Sequence, residues 1–132
     1  MFFSDMERQN PSMHHYLAFY EGIPAGCGTL FPAAGAGGIY YIGTLPQFRR
    51  RGVGEAVTRH CVKESCEAGY PLVVLRASDE GELLYRRLGF EEFLRFRLYR
   101  RQGIFVSSSK WKISVYCRRV YHKITGDASW FC

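Results

Sequence analysis

The stretch that most constrains the fold is a short apolar run in the middle of the chain, PLVVL at residues 71–75. It follows a segment from Val53 to about Ala68 with helical periodicity, and Gly69 lies where a helix should end. A continuous apolar run of this length is typical of a strand that is buried on both faces and parallel to a neighbour. The sequence therefore predicts an α/β fold around one parallel strand.

Three further strands are predicted ahead of this helix. Glu21-Gly22 separates two apolar runs and supplies the turn of a β-hairpin. A third run follows the flexible segment AAGAGG and ends at Pro46. The predicted strands are residues 16–20, 23–31 and 39–45.

A second helix and a last strand complete the predicted domain. Asp79 is the expected N-cap of this helix, Glu82 would complete a capping box, and Gly89 follows its end. Apolar and arginine residues alternate from Leu94 to Leu98, as in a strand with one apolar face. The order β-β-β-α-β-α-β predicts a mixed, mostly antiparallel sheet.

The formal net charge of +6 is unevenly distributed along the chain. Residues 1–100 hold 12 basic and 11 acidic side chains, whereas residues 101–132 hold 6 and 1. We therefore expect one domain over residues 1–103 and a basic, aromatic tail over residues 104–132. The alternation in residues 111–117 favours an edge strand, with disorder as the alternative. Nucleic acid binding is a further hypothesis, and it depends on this tail alone.

Composition argues against several classes of protein. No apolar run approaches the roughly 20 residues that span a bilayer, and the first residues lack the apolar segment of a signal peptide. Five cysteines at irregular spacings, with no CxxC pair, indicate neither a disulfide framework nor a metal site. We expect a cytoplasmic protein with no membrane contact and no metal.

The segment from Arg49 to Gly54, RRRGVG, combines a strand end, a glycine turn and a helix start. Unpaired backbone amides and the positive end of a helix dipole make such a turn an anion-binding site. A phosphate-binding P-loop needs a Gly-Lys pair, which the chain lacks, and a dinucleotide fingerprint needs Gly or Ala at the position of Val57. Neither of these two motifs fits.

Two motifs together resemble the GCN5-related N-acetyltransferase (GNAT) family. One is Arg49-x-x-Gly52-x-Gly54, and the other is Tyr85-x-x-x-Gly89-Phe90 about 30 residues later. The resemblance covers roughly residues 15–100. It implies an acyl-CoA-dependent transfer of an acetyl group from acetyl-CoA to an amine, by direct attack in a ternary complex.

The resemblance also implies roles for individual residues. Amides of the RRRGVG segment would hold the pyrophosphate of acetyl-CoA, and the strand before it would separate from its parallel neighbour to pair with the pantetheine arm. Tyr85 would be the general acid that protonates the departing thiolate. The implied cofactor-binding residues are Ile42, Gly43, Thr44, Arg49, Arg50, Arg51, Gly52, Val53, Gly54 and Ser78.

Some positions depart from the family pattern. Ser78 stands where many members have an asparagine that contacts the cofactor, and Arg50 replaces a frequent glycine, which requires a negative φ there. The strand at 39–45 has no carboxylate to act as a general base. His14 and His15 are expected to be surface residues, so no side-chain base is identified, and water could serve.

The largest departure concerns the amine side of the site. Family domains begin with a strand and two helices, whereas about 14 residues precede Tyr16. We expect an apolar sheet face that a homodimer mate, another chain or the tail covers. A catalytically inactive acetyl-CoA-binding module, or a truncated relative, is therefore the alternative to an active transferase.

Overall fold

The computed structural model describes residues 11–98 and 111–119. The expected start of the chain, the boundary at residue 103 and the residues beyond 119 lie outside these ranges. Six strands, two α-helices and one turn of 3₁₀ helix at Pro46–Phe48 make up the described part. The elements are β1 (His14–Tyr20), β2 (Ile23–Ala33), β3 (Ala36–Thr44), α1 (Val53–Glu67), β4 (Leu72–Ala77), α2 (Glu82–Arg87), β5 (Glu91–Leu98) and β6 (Trp111–Arg119).

The strands form one six-stranded sheet in the order β1-β2-β3-β4-β6-β5. Only β3 and β4 are parallel, and every other pair of neighbours is antiparallel. The β1–β2 turn has positive φ at both Glu21 (48°) and Gly22 (80°), the combination that suits the twist of a two-residue hairpin. The predicted fold class, the hairpin and the parallel strand are confirmed.

Residues 111–119 form a strand, as the alternation in this segment predicts. Its expected position at an edge is wrong, because β6 lies between β4 and β5. Leu75 and Tyr116 are paired on one side of β6, and Phe96 and Ile113 on the other. The strand therefore belongs to the same sheet as residues 14–98.

Both helices pack on one face of the sheet. Gly26 and Gly28 let α1 approach β2, since a Cβ at Gly26 would lie 2.7 Å from Val53 Cγ1 and one at Gly28 would overlap Val57. The core between helices and sheet includes Leu30, Ile39, Val57, Cys61, Val62, Val73, Leu75, Tyr85, Phe90 and Tyr116. Cys27, Cys61 and Cys117 are free thiols, and Cys66 is disulfide-bonded.

The start of α2 differs from the predicted capping box. The helix begins at Glu82 after Gly81, and no side chain caps it. The Glu82 carboxylate instead accepts hydrogen bonds from Arg86 at 2.8 and 3.0 Å, one turn further along the helix. Asp79 lies in the turn that precedes the helix, so the predicted N-cap is wrong.

The other face of the sheet carries apolar side chains that neither described helix covers. Leu72 and Val74 are only half-buried, which corrects the expectation that β4 is buried on both faces. They line an open hollow of about 830 Å³ with Phe93, Leu94 and Val115. A chain that covers this face stays a prediction. No helix within residues 11–98 has the length and apolarity to cross a bilayer.

Candidate functional site

Consecutive unpaired amides mark the passage from β3 into α1. Ala56 is the first residue in α1 whose N–H reaches a backbone carbonyl, that of Gly52 at 2.9 Å. The six amides of residues 50–55 find no backbone acceptor anywhere in the described ranges. They are the donors that the first turn of a 15-residue helix leaves free, extended by the preceding loop. The arrangement suits an anion.

Two left-handed residues turn the chain into α1. Gly52 has φ 79° and Arg50 has φ 62°, with Arg51 between them. The prediction that Arg50 has a negative φ is therefore wrong. The reason is that the reversal from the 3₁₀ turn into α1 takes place within a few residues and passes through the left-handed region twice.

The three arginines of this loop do not act as one patch of free charge. Arg49, Arg50 and Arg51 are exposed. The Arg51 guanidinium lies over the Tyr20 ring, 5.2 Å from its centroid, and Tyr20 also contacts Phe48. Arg51 therefore helps to fix the loop against β1, while its neighbours face solvent.

Strands β3 and β4 separate beside this loop. Their parallel pairing covers Ala36–Ile39 and stops there. Tyr41 follows with φ 54°, an irregularity that turns the remainder of β3 away. Gly43 and Thr44 pair with β2, Ile42 lies where the β2–β3 register shifts, and none of the three has a partner in β4. Backbone groups along this edge of β3 are therefore available to a ligand.

The glycine loop, the end of β3 and α2 meet at Gly54. A Cβ at Gly54 would lie 3.5 Å from Thr44 Oγ1 and 3.7 Å from Leu84 Cδ2. Thr44 and Gly54 are therefore neighbours, and the other residues predicted to bind the cofactor, apart from Ser78, adjoin one or the other along the chain. Ser78 is the exception, since it is exposed and its described hydrogen bond, from the Gly81 amide to its carbonyl, belongs to the turn before α2.

Tyr85 lies beside Leu84 on α2 and is buried against the sheet. Its ring packs edge-on against Phe90, with centroids 6.1 Å apart, and lies 6.5 Å from Tyr116. A Cβ at Gly81 would come within 2.8 Å of the Tyr85 ring, so the absence of a side chain there makes room for it. Burial raises the pKa of Tyr85 above its ordinary value, which keeps the phenol protonated. No described residue hydrogen-bonds its hydroxyl group.

The sequence interpretation missed a set of residues that surround Tyr85. Arg86 pairs with Glu82 and with Glu92 of β5 at 2.8 and 2.9 Å, which ties α2 to the sheet. Tyr116 of β6 is fully buried behind Tyr85, and the Arg86 guanidinium lies 5.5 Å from the centroid of its ring. The alternation that places Ser114 and Tyr116 on one face of β6 was the available signal.

Candidate bases and metal ligands are sparse. His14 and His15 are exposed, as expected, and the His15 Nδ1 atom lies 2.9 Å from Thr29 Oγ1. Among the described residues, no group of three His, Cys, Asp or Glu side chains is placed to hold a metal ion.

The sequence matches a known family over most of the described part. A family model described as the acetyltransferase (GNAT) domain matches residues 11–92. The chain belongs to the GNAT family. Its resemblance to this family, predicted from the two motifs, is confirmed.

Solved GNAT structures share the fold at low identity. The ribosomal-protein-S18-alanine N-acetyltransferase from Escherichia coli has a TM-score of 0.71 at 17% identity, over 96% of this chain and 79% of that one. A GNAT acetyltransferase from Elizabethkingia anophelis, solved with acetyl-CoA, has a TM-score of 0.70 at 19% identity, over 86% and 80%. A Bacillus subtilis acetyltransferase, solved with CoA, has a TM-score of 0.73 at 13% identity, over 88% and 82%. Family and fold together support acyl-CoA-dependent acetyl transfer as the general activity.

Proposed function

We propose that this GNAT chain is an N-acetyltransferase that binds acetyl-CoA through residues 49–54 and transfers its acetyl group to an amine. The observation that carries the proposal is the row of six amides, at residues 50–55, that bond to no described backbone carbonyl and lie beside the open edge of β3. A pyrophosphate carries the negative charge that such amides and a helix N-terminus stabilise. Acetyl-CoA would supply the activated acetyl group.

The edge of β3 would bind the extended part of the same ligand. Ile42, Gly43 and Thr44 expose backbone donors and acceptors where β4 has separated. A chain with amide groups, such as pantetheine, can pair with them as a missing strand would. Thr44 and Gly54 are neighbours, so the edge and the amide row form one continuous surface.

Tyr85 would be the proton donor in the transfer. Its raised pKa keeps the hydroxyl group protonated at neutral pH, and no described partner competes for its proton. Leu84 touches the start of α1, so the same short helix contributes to the amide site and carries Tyr85. General acid catalysis of this kind contributes about 10²- to 10⁴-fold to a rate. Water would accept the proton of the amine, and the reaction would take place in the cytoplasm.

A catalytically inactive acetyl-CoA-binding module is the second candidate. The observation that favours it is the apolar face with no described helix over it, where Phe93 is 74% exposed. Few described residues would surround an amine bound on this face. Tyr85, at the position of the general acid in the family motif, favours the transferase.

Two measurements, made one after the other, test the proposal. Calorimetry should show that the parent chain binds acetyl-CoA. Gly54→Val should lose most of this affinity, because a valine side chain would crowd Thr44 and Leu84 beside the backbone amides. Arg50→Ala should lose little affinity, because the backbone amides and not the arginine side chain carry the interaction. Release of free CoA thiol over a panel of amines should then fall about 10²-fold or more in Tyr85→Phe. Tyr70→Phe, at the other end of α1, is the matched control and should keep full activity.

The outcomes separate the candidates. Absence of acetyl-CoA binding at near-millimolar ligand would contradict both candidates. Binding without transfer to any amine would favour the inactive module. A greater loss in Arg50→Ala than in Gly54→Val would assign the binding to side-chain charge instead of backbone amides.

A further inference from the structure

Two side chains lie where β3 and β4 begin to separate, on the face away from the helices. The last parallel pair is Ile39 with Leu75, and Tyr40 and Arg76 come next in their strands. Leu75 and Ala77 are buried on the helix side, so Arg76 between them projects to the other side, where it is exposed. Its guanidinium lies 5.7 Å from the centroid of the Tyr40 ring.

A hollow of about 380 Å³ opens at this point. Its described lining residues are Tyr40, Val74, Leu75, Arg76 and Val115. Arg76 is the one charged side chain among them, and it takes part in no ion pair within the described ranges. Arg86 and Arg95, by contrast, are occupied by Glu82 and Glu92. The hollow therefore combines an apolar floor with a guanidinium group whose hydrogen-bond donors no described carboxylate occupies.

We propose that Arg76 binds the carboxylate of the acceptor, which makes an apolar α-amino acid the substrate class. This inference depends on the proposed function, because the gap between β3 and β4 is where the acetyl group would lie. A guanidinium group binds a carboxylate with two parallel hydrogen bonds, and the Tyr40 ring holds its plane in place. Val74 and Val115 accommodate the apolar side chain. A polyamine would meet positive charge and no described carboxylate.

The reaction balances with these groups alone. The α-amine nitrogen attacks the thioester carbonyl carbon, an N–C bond forms and the C–S bond breaks. The amine loses a proton to water, and the thiolate takes one from Tyr85, which regains it from solvent. The products are an N-acetyl amino acid and free CoA.

The test compares matched acceptors and matched variants of the full chain. Thiol release is measured with leucine, phenylalanine and methionine, with their carboxamides, and with spermidine. The amino acids should exceed their amides about tenfold in kcat/KM, since the amides lack the charged partner of Arg76. Arg76→Met should remove this preference by raising KM for the amino acids, with acetyl-CoA affinity unchanged. Arg76→Lys should retain part of it.

Arg87→Met is the control, because Arg87 is an exposed arginine at the end of α2 with no described ion pair. It should keep the preference. Three results would each overturn the inference. The carboxamides or spermidine could be acetylated as well as the amino acids, or the preference for amino acids could survive in Arg76→Met. The third is that no amino acid is acetylated although acetyl-CoA still binds. If the parent chain does not bind acetyl-CoA at all, the proposed function itself is wrong.

Discussion

Arg50 is held in a left-handed conformation, with φ 62°, on an exposed turn. A residue with a Cβ loses about 1 kcal/mol or more there, and glycine does not. We expect Arg50→Gly to raise the free energy of unfolding by about 1 kcal/mol, less the added backbone freedom of glycine in the unfolded chain. Urea denaturation measures this change. Arg50→Ala keeps the strain and is the control, so a glycine variant no more stable than the alanine variant would contradict the prediction.

At the level of residues, the sequence revealed the spacing of the site but not its conformation. The pattern from Arg49 to Gly54 and the position of Tyr85 follow from local motifs. The φ of Arg50 does not, because it depends on how a 3₁₀ turn enters α1. The prediction of a capping box was wrong for a related reason. Arg86 donates hydrogen bonds to Glu82, and it is also held by Glu92 of β5, which the local sequence pattern of α2 does not reveal.

The packing of α1 on β2 depends on a glycine in the strand. Gly28 has no space for a Cβ beside Val57. We expect Gly28→Ala to lower the free energy of unfolding by about 1–3 kcal/mol through overpacking. Val57→Ala alone should also destabilise the chain by leaving a cavity, but the two changes together should cost less than their sum.

A double-mutant cycle in urea measures this coupling. The matched control is Gly22→Ala combined with Val57→Ala, since Gly22 has open space around it and lies in the hairpin turn, away from Val57. That pair should be additive. Additive effects for Gly28 and Val57 would show that the strand moves to admit the methyl group.

At the level of elements, local patterns identified the strands and α1 but not all of their surroundings. An apolar run such as residues 71–75 has the same sequence pattern whether one or both faces of the strand are covered. In the described structure Val73 is buried, while Val74 on the opposite face is half-buried. The position of β6 was equally hidden, because its pairing with β4 and β5 is set by contacts far apart in sequence.

The stability of the whole domain should fall in alkaline solution. Burial, and then the nearby Glu64 carboxylate, raise the pKa of Cys61 to about 12, and burial also raises the pKa of Tyr85. An unfolded thiol ionises near pH 8.5. Between these values the folded chain retains a proton that the unfolded chain loses, so the free energy of unfolding decreases as pH rises, by up to about 1.4 kcal/mol per pH unit for the thiol.

Urea denaturation between pH 8 and pH 10 tests this dependence. Cys61→Ala should show a shallower decline over that interval, whereas Cys27→Ala, at a half-buried thiol, should follow the parent chain. Equal slopes for the parent and Cys61→Ala would contradict the assignment to Cys61.

The place of β6 in the sheet also has a consequence for biosynthesis. Ribosomes release a chain from its N-terminus, so β1 to β5 emerge before residues 111–119. At that stage β5 has no neighbour in the sheet, and the side of β4 away from β3 is unpaired. The nascent chain must keep these two strands apart until β6 inserts between them. The speed of translation and the access of chaperones between the release of β5 and that of β6 should therefore affect the yield of folded protein.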